Sequence, residues 1–470
     1  MSDTLYDFGM IGLGVMGSNL LLNMADHGFK VIGFDLNAEK TAAFEASAKE
    51  GTTVKGVNTL AEMVSSLSKP RKFMMLVPAG KPVDDVINSL FPLLEEGDII
   101  IDGGNSHFTD TLRRIDFVKD KKFHFMGIGI SGGEQGARIG PSIMPGGDKE
   151  AYQEVEKILM SVAAKVDDKP CVAYLGKAAA GHYVKMVHNG IEYAIMQLIS
   201  ECYDLLHNGL GLDDNELHEV FAKWNVGIMK SFLLEITAQI FTKKDEKSSA
   251  MLLDMILDKA GAKGTGKWTS QASLDLSIPI PTIDMAVMMR NISSVKEQRV
   301  EASKLYGSAT HKIDVDKTLF TNQVYDALYF GILISYIQGL SMLSLASTEL
   351  KMDIPLPEVV RVWSGGCIIR SGLLPLFGAI YLQTPDLKNL LLNKEVAQLI
   401  ESKIDSTKKI VSEAILNGYP VSGLAASVNY FNAFTREKLP VNLIQAQRDF
   451  FGAHTYQRID EEGTFHSEWE

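Results

Sequence analysis

Cysteine is scarce in this chain: three among 470 residues, Cys171, Cys202 and Cys367, odd in number and without a CxxC pair. That excludes a disulfide framework and a cysteine-based zinc site, and points to a reducing compartment, the cytoplasm by default. Positive charge is short as well. Lys and Arg number 46 against 58 Asp and Glu, a net charge of −12, which argues against general attraction to nucleic acid or to an anionic membrane. Any anionic ligand must therefore meet a local basic patch. No stretch reaches roughly 18 uninterrupted apolar residues, and MSDTLYDFGM at the N-terminus lacks a basic segment followed by a cleavable apolar one, so neither a membrane span nor a secretion signal is expected. With 15 prolines beside 40 glycines and 46% hydrophobic residues, disordered, collagen-like and coiled-coil compositions are excluded.

The length allows two or three domains at roughly 100–200 residues each. Over residues 1–178, short apolar runs alternate with amphipathic stretches, the pattern of βαβ units around a parallel sheet. Strands are expected at 8–11, 31–34, 73–77, 99–102, 123–130 and 172–175, with helices between them such as 15–27 and 109–119. Residues 179–436 read as all helix, because apolar segments of helical length replace the turn-bounded runs. Two long apolar helices, 191–206 and 327–345, are each followed by a loop and an amphipathic piece ending in FAKWN at Trp224 or VRVWS at Trp363, which suggests an internal helical duplication. Residues 437–470 lack helical period and read as a tail lying against something.

The first expected strand runs directly into Gly12-Leu13-Gly14-Val15-Met16-Gly17, and a helix follows. In that setting GxGxxG is the dinucleotide fingerprint of a Rossmann-like domain. The first glycine permits the tight turn, the second lets backbone approach a pyrophosphate, and the third lets helix pack on strand. The helix N-terminus adds free N–H groups and partial positive charge. Asp35 ends the second strand, where a carboxylate accepts hydrogen bonds from the adenosine ribose and repels a 2′-phosphate; Leu36 and Asn37 supply no compensating Arg. The local chemistry favours NAD over NADP.

A second signal opens the helical region. In GHYVKMVHNGIEY at 181–193, Lys185, His188, Asn189 and Glu192 stand at i, i+3, i+4 and i+7, on one helix face. Lys185 and Glu192 are about 10 Å apart along the axis, too far for easy pairing but suited to a small molecule lying between them. A solvated polar face is the plainer alternative. Against it, Val184, Met186, Val187, Ile191 and Ile195 make the rest of the helix apolar, and such a helix usually aims its one polar stripe at a ligand or partner.

These residues, with Asp102-Gly103-Gly104-Asn105-Ser106, Ser131-Gly132-Gly133-Glu134-Gln135-Gly136-Ala137-Arg138, PSIMPGG at 141–147, Gly264-Thr265-Gly266-Lys267-Trp268-Thr269 and RDFFGAH at 448–454, resemble the decarboxylating 6-phosphogluconate dehydrogenase family in order through essentially the whole chain. The related 3-hydroxyacid dehydrogenases share the fingerprint, the SGG turn and the Lys/Asn helix; the length, the second helical half and the tail favour the phosphogluconate enzymes.

The resemblance implies a homodimeric, metal-free oxidoreductase with Lys185 as base and Glu192 as acid. It puts Asn105, Ser131, Gly132, Gly133, His188 and Asn189 on the sugar acid, Asn105 on the cofactor as well, and Tyr193, Lys267, Thr269 and Arg290 around the substrate's phosphate. Arg448 and His454 would complete the neighbouring subunit's site. The usual NADP enzymes of the family carry an Asn-Arg-Thr type motif where this chain has Asp35-Leu36-Asn37, and a lysine where it has Val77-Pro78-Ala79; both departures again favour NAD. The competing expectations are a dehydrogenase of another sugar acid or 3-hydroxy acid and, from a different class, a dinucleotide-sensing protein without catalysis. Lys185 and Glu192 at helical spacing speak against a sensor, which needs neither.

Overall fold

The computed structural model describes residues 5–307 and 310–469. Part of the N-terminal segment read above for a signal, residues 1–4, lies outside them. Seven strands form one sheet: β1 (Phe8–Ile11), β2 (Val31–Phe34), β3 (Val54–Val57), β4 (Lys72–Met75), β5 (Ile99–Asp102), β6 (His124–Ser131) and β7 (Ser142–Gly147). The helices α1 (Val15–Asp26), α2 (Ala38–Ala46), α3 (Leu60–Ser65), α4 (Lys81–Leu90), α5 (Phe108–Lys119), α6 (Gly133–Ile139) and α7 (Lys149–Val162) alternate with them. Strand order is β3-β2-β1-β4-β5-β6-β7, parallel through β6, with Phe8 opposite Val31 and Gly9 opposite Phe73. Apolar clusters cover both faces, which is why β1 and β5 are apolar rather than alternating. From β1 the chain turns first to β2 on one side and later to β4 on the other. A ligand crevice opens at such a reversal, beyond the carboxyl ends of the strands.

The sheet differs from the sequence expectation at three places. Residues 172–175 are not a strand: Val172 makes a single bridge to Ile143, and the segment runs beside β7 with isolated bonds such as Leu175 N–H to Pro145 O, 2.7 Å. Strand β3 was not anticipated, since VKGV at the sheet edge carries a lysine and a glycine. Strand β7 pairs antiparallel with β6. Its Pro145-Gly146-Gly147 reads as a turn, but an edge strand tolerates the missing N–H of proline.

The helical region begins with α8 (Ala180–Asp204), 25 residues long. A helix Asp214–Trp224 follows it, just as Leu356–Trp363 follows the 33-residue helix Lys317–Glu349. The last of these is long and apolar enough to cross a membrane by composition, yet 89% of its apolar window is buried inside the fold. A helix that is apolar all round belongs in a core. Near the C-terminus the expectation fails: Asn442–Gly452 is helical. Leu443, Ile444, Phe450 and Phe451 are exposed, yet they stand at i, i+1, i+7 and i+8, a helical spacing that the reading of this stretch as irregular passed over.

Four glycines seat α8 on the sheet. Gly127 and Gly129, two apart on β6, share one strand face. A Cβ on Gly129 would lie 2.3 Å from Lys185 Cβ, and one on Gly181 would lie 2.2 Å from Gly127 O and 2.4 Å from Met144 O. A Cβ on Gly146 would lie 2.1 Å from Gly181 N. Any side chain there pushes the helix off the sheet, because packed backbone has no room to yield. Lys185 is thereby brought directly over β6.

Candidate active site

The crevice at the strand reversal is built by the glycine fingerprint. Gly12 has φ +93° and a Cβ on it would meet Leu76 O at 2.6 Å; one on Gly17 would meet Gly12 O at 2.0 Å. A Cβ on Gly14 would meet nothing within 4 Å, so this side of the backbone faces open space, as close approach of a pyrophosphate requires. Asp35 braces the turn: Leu13 N–H donates to its Oδ2 at 2.8 Å and Asn37 N–H to its Oδ1 at 2.9 Å. The crevice, of about 570 Å³, is lined by Gly12, Gly14, Asp35, Leu36, Lys40, Val77, Pro78 and Asp85 among others. Leu13 is buried, Val15 and Ala79 are exposed and Met16 is half-buried, packed against the Rossmann-like core. The residues present fit a dinucleotide.

The polar face of α8 stands at the end of this crevice's sheet. Lys185 is 7% exposed and His188 is fully buried. With its proton on Nδ1, His188 donates to Asn189 Oδ1 at 3.1 Å, while its Nε2 accepts from Ser131 Oγ at 3.4 Å. The same Nδ1 is 3.5 Å from Lys185 Nζ and 3.9 Å from Glu192 Oε2. Burial, reinforced by the neighbouring Lys185, keeps the imidazole well below its ordinary pKa. Burial likewise pushes Lys185 down from its usual value, and the opposing pull of Glu192 does not overcome it. Among the described residues no ion pair reaches Lys185. Glu192 moves the other way: burial raises its carboxyl, against Lys185 and Arg290. The site thus holds an amine with a lowered pKa and a carboxyl with a raised one, the pairing expected of a base and an acid.

Around this stripe the other expected residues are distributed unevenly. Ser131 ends β6, and Gly132 (φ +132°) and Gly133 (φ +61°) form the turn into α6. The Arg290 guanidinium lies 3.6 Å from the Tyr193 ring centroid and donates to Gly261 O at 2.8 Å. Lys267 is exposed on the helix Thr265–Asp275. Asn105 is exposed on its loop, which reaches that helix through His107 and Trp268, their rings edge-on at 5.0 Å. Thr269 is fully buried, its hydroxyl directed at the carbonyls of Met186 and Thr265 at 2.9 and 3.0 Å, so it packs this helix against α8.

Arg448 and His454 are exposed, and no hydrogen bond or ion pair among the described residues joins 437–469 to the rest of the chain. The tail is instead organised around Asp449, which accepts from His466, Ser467 N–H, Trp469 and Thr455 N–H. Desolvation opposes its charge, but these donors prevail and hold it at about 2.

Sequence reasoning missed the residues that support the site. The glycines of HFMGIGIS, two apart, were a legible sign that something packs against that strand face. Trp363, fully buried, sets its ring edge-on to His188 at 5.8 Å. His182, three residues before Lys185, meets Thr111 Oγ1 at 2.7 Å, tying α8 to α5.

Comparison with known proteins adds a family. Residues 7–176 match the NAD binding domain of 6-phosphogluconate dehydrogenase, and residues 181–469 match the 6-phosphogluconate dehydrogenase C-terminal domain. The chain is 48% identical to the decarboxylating 6-phosphogluconate dehydrogenase of Synechococcus elongatus, over 99% of both chains. It is also 48% identical to the NADP(+)-dependent, decarboxylating enzyme of Bacillus subtilis, over 98% of both. Among solved structures it resembles Plasmodium falciparum 6-phosphogluconate dehydrogenase, studied with NADP+ and with 6-phosphogluconate, at 45% identity and a TM-score of 0.96, covering 98% of this chain and 100% of that one.

Proposed function

The chain belongs to the 6-phosphogluconate dehydrogenase family, and on that premise we propose that Lys185 and Glu192 are the base and acid of its reaction. That reaction is oxidative decarboxylation of 6-phosphogluconate to ribulose 5-phosphate and carbon dioxide, with reduction of NAD(P)+. The observation that carries the assignment is a buried amine with no ion-pair partner among the described residues, near a carboxyl whose pKa burial raises. When bound, the nicotinamide takes up the hydride from C3. Lys185, uncharged, accepts the C3 hydroxyl proton. The resulting ketone lies β to the carboxylate, so carbon dioxide leaves as the bonding pair moves towards the carbonyl oxygen. Lys185, now protonated, donates a hydrogen bond to that oxygen and stabilises the developing charge. Glu192, whose carboxyl burial makes a weaker acid, delivers a proton to the carbon that lost carbon dioxide.

Support for the remaining contacts comes from chemistry and position. Ser131 and the glycine turn of Gly132 and Gly133 offer a hydroxyl and backbone N–H groups to the substrate carboxylate. Asn105, His188 and Asn189 suit the sugar hydroxyls. Tyr193, Lys267 and Arg290 bring a hydroxyl and two cations to the phosphate, a necessary local exception in a chain of net charge −12. Thr269, on the same helix as Lys267, adds a hydroxyl to that set.

Two finer readings accompany this one. NAD is the preferred cofactor, since the crevice lining includes Asp35 and Asp85 against a single Lys40, and an anion there repels a 2′-phosphate. The enzyme works as a homodimer in which Arg448 and His454 complete the neighbouring site; the exposed Leu443, Ile444, Phe450 and Phe451 give that tail an apolar surface to bury.

Lys185→Ala is expected to abolish oxidation while cofactor affinity, measured by fluorescence titration, stays within about twofold of wild type; Glu192→Gln should lower kcat by about 10²–10³-fold. Because the acid must be protonated, the pH profile of kcat/KM should fall at high pH, and Glu192→Gln should remove that alkaline limb; a profile unchanged by the substitution contradicts the role. Steady-state kinetics with each cofactor should give a kcat/KM for NAD at least about tenfold above that for NADP, a difference of about 1.4 kcal/mol, and a preference for NADP would defeat the reading of Asp35. Truncation after Pro440 should eliminate turnover and leave cofactor binding intact; a fully active truncated chain would rule out a shared site.

A further inference from the structure

The loops that frame the site meet on one side chain outside it. Arg114, on α5, is fully buried. Its Nε donates to Asp84 Oδ1 at 2.8 Å, on α4, and its Nη2 to Gly80 O at 2.9 Å, at the N-cap of that helix. Its Nη1 donates to Asp102 Oδ2 at 3.2 Å and to Ser106 Oγ at 3.3 Å. Asp102 in turn folds the loop after β5: its Oδ1 accepts from Gly104 N–H at 3.0 Å and its Oδ2 from Ser106 Oγ at 2.6 Å. Asn105 is the exposed residue between those two anchors. Gly80 is two residues beyond Pro78, which lines the dinucleotide crevice.

We infer that Arg114 is a positioning residue that fixes the loop walling the cofactor crevice against the loop presenting Asn105 to the sugar acid. The inference rests on the reading of those two loops given above. Chemistry favours it over plain packing. Burying a guanidinium between two carboxylates is a poor source of stability, because desolvation offsets the attraction and an apolar side chain of similar volume serves as well. A rigid fork that reaches four partners, Asp84 on α4 and Gly80 at its N-cap, Asp102 at the end of β5 and Ser106 in the loop after it, is what only arginine supplies. The same helix also carries Thr111, one turn earlier, hydrogen-bonded to His182 just before Lys185. A displacement of α5 therefore reaches the cofactor wall, Asn105 and the base together, and small misplacements of reacting groups cost rate steeply.

Three variants of the full-length enzyme test this by kinetics and thermal melting. Arg114→Lys keeps the charge and loses the fork; KM for both cofactor and 6-phosphogluconate should rise about tenfold, with a smaller fall in kcat. Asp84→Asn should raise the cofactor KM alone and Ser106→Ala the sugar-acid KM alone, each by roughly three- to tenfold. A merely structural Arg114 predicts a lowered Tm with both KM values within about twofold of wild type, and that result overturns the proposal, as does a Ser106→Ala or Asp84→Asn effect on the other ligand. Should Arg114→Lys fail to fold, the split between the other two decides. Asn105→Ala is the separate control: an unchanged KM for 6-phosphogluconate there removes Asn105 from the substrate while the KM arms of the other variants still read Arg114.

Discussion

Burial takes most of its water from Lys185, and among the described residues no carboxylate comes within ion-pairing distance of the amine to replace it. An ammonium in that position loses hydration without compensation, so the neutral form gains. Everything distinctive in the site follows from that exclusion. His188, at one end of the amine, is itself buried and neutral, and Glu192 lies within 3.9 Å of His188 Nδ1 without closing on the lysine. A direct Lys185–Glu192 ion pair would have reversed both shifts and left a charged base and a charged acid. Spacing along α8 keeps the two apart, two helical turns being too long a reach.

The desolvation depends in turn on how closely the helix sits on the sheet. Gly127, Gly129, Gly146 and Gly181 strip the side chains from the contact, so backbone meets backbone and the lysine stem crosses β6 with no room for solvent beneath it. That seat makes one body of two differently built regions, a doubly covered sheet and a helical mass cored by Lys317–Glu349. The second half of that mass reaches back to the site through Trp363 on the edge of His188. Catalytic groups, crevice and helical core are held by the same few contacts.

Much of this was legible in the sequence, for identifiable reasons. The fingerprint glycines, Asp35 and the stripe from Lys185 to Glu192 lie within single elements, where period and spacing fix the geometry. Strand β7 was hidden because Pro145 and two glycines speak for a turn, and only pairing with β6 makes an edge strand of them. The helix Asn442–Gly452 carries its own sign in the helical spacing of Leu443, Ile444, Phe450 and Phe451, which the reading of 437–470 as an irregular tail passed over. The packing of Thr269, whose hydroxyl meets carbonyls of two helices, is a long-range contact no local pattern encodes. Arg114 escaped notice for the same reason: its partners come from sequence separations of 8 to 34 residues.

The state of the Lys185 amine at neutral pH tests this account most directly. With the lysine side chains labelled with ¹⁵N at Nζ and the Lys185 signal assigned by its loss in Lys185→Ala, NMR-monitored titration should show that amine losing its proton below the ordinary value of 10.5, at lower pH than the exposed lysines. An Nζ signal that titrates with the surface lysines would contradict the account, since a permanently charged amine cannot take the proton.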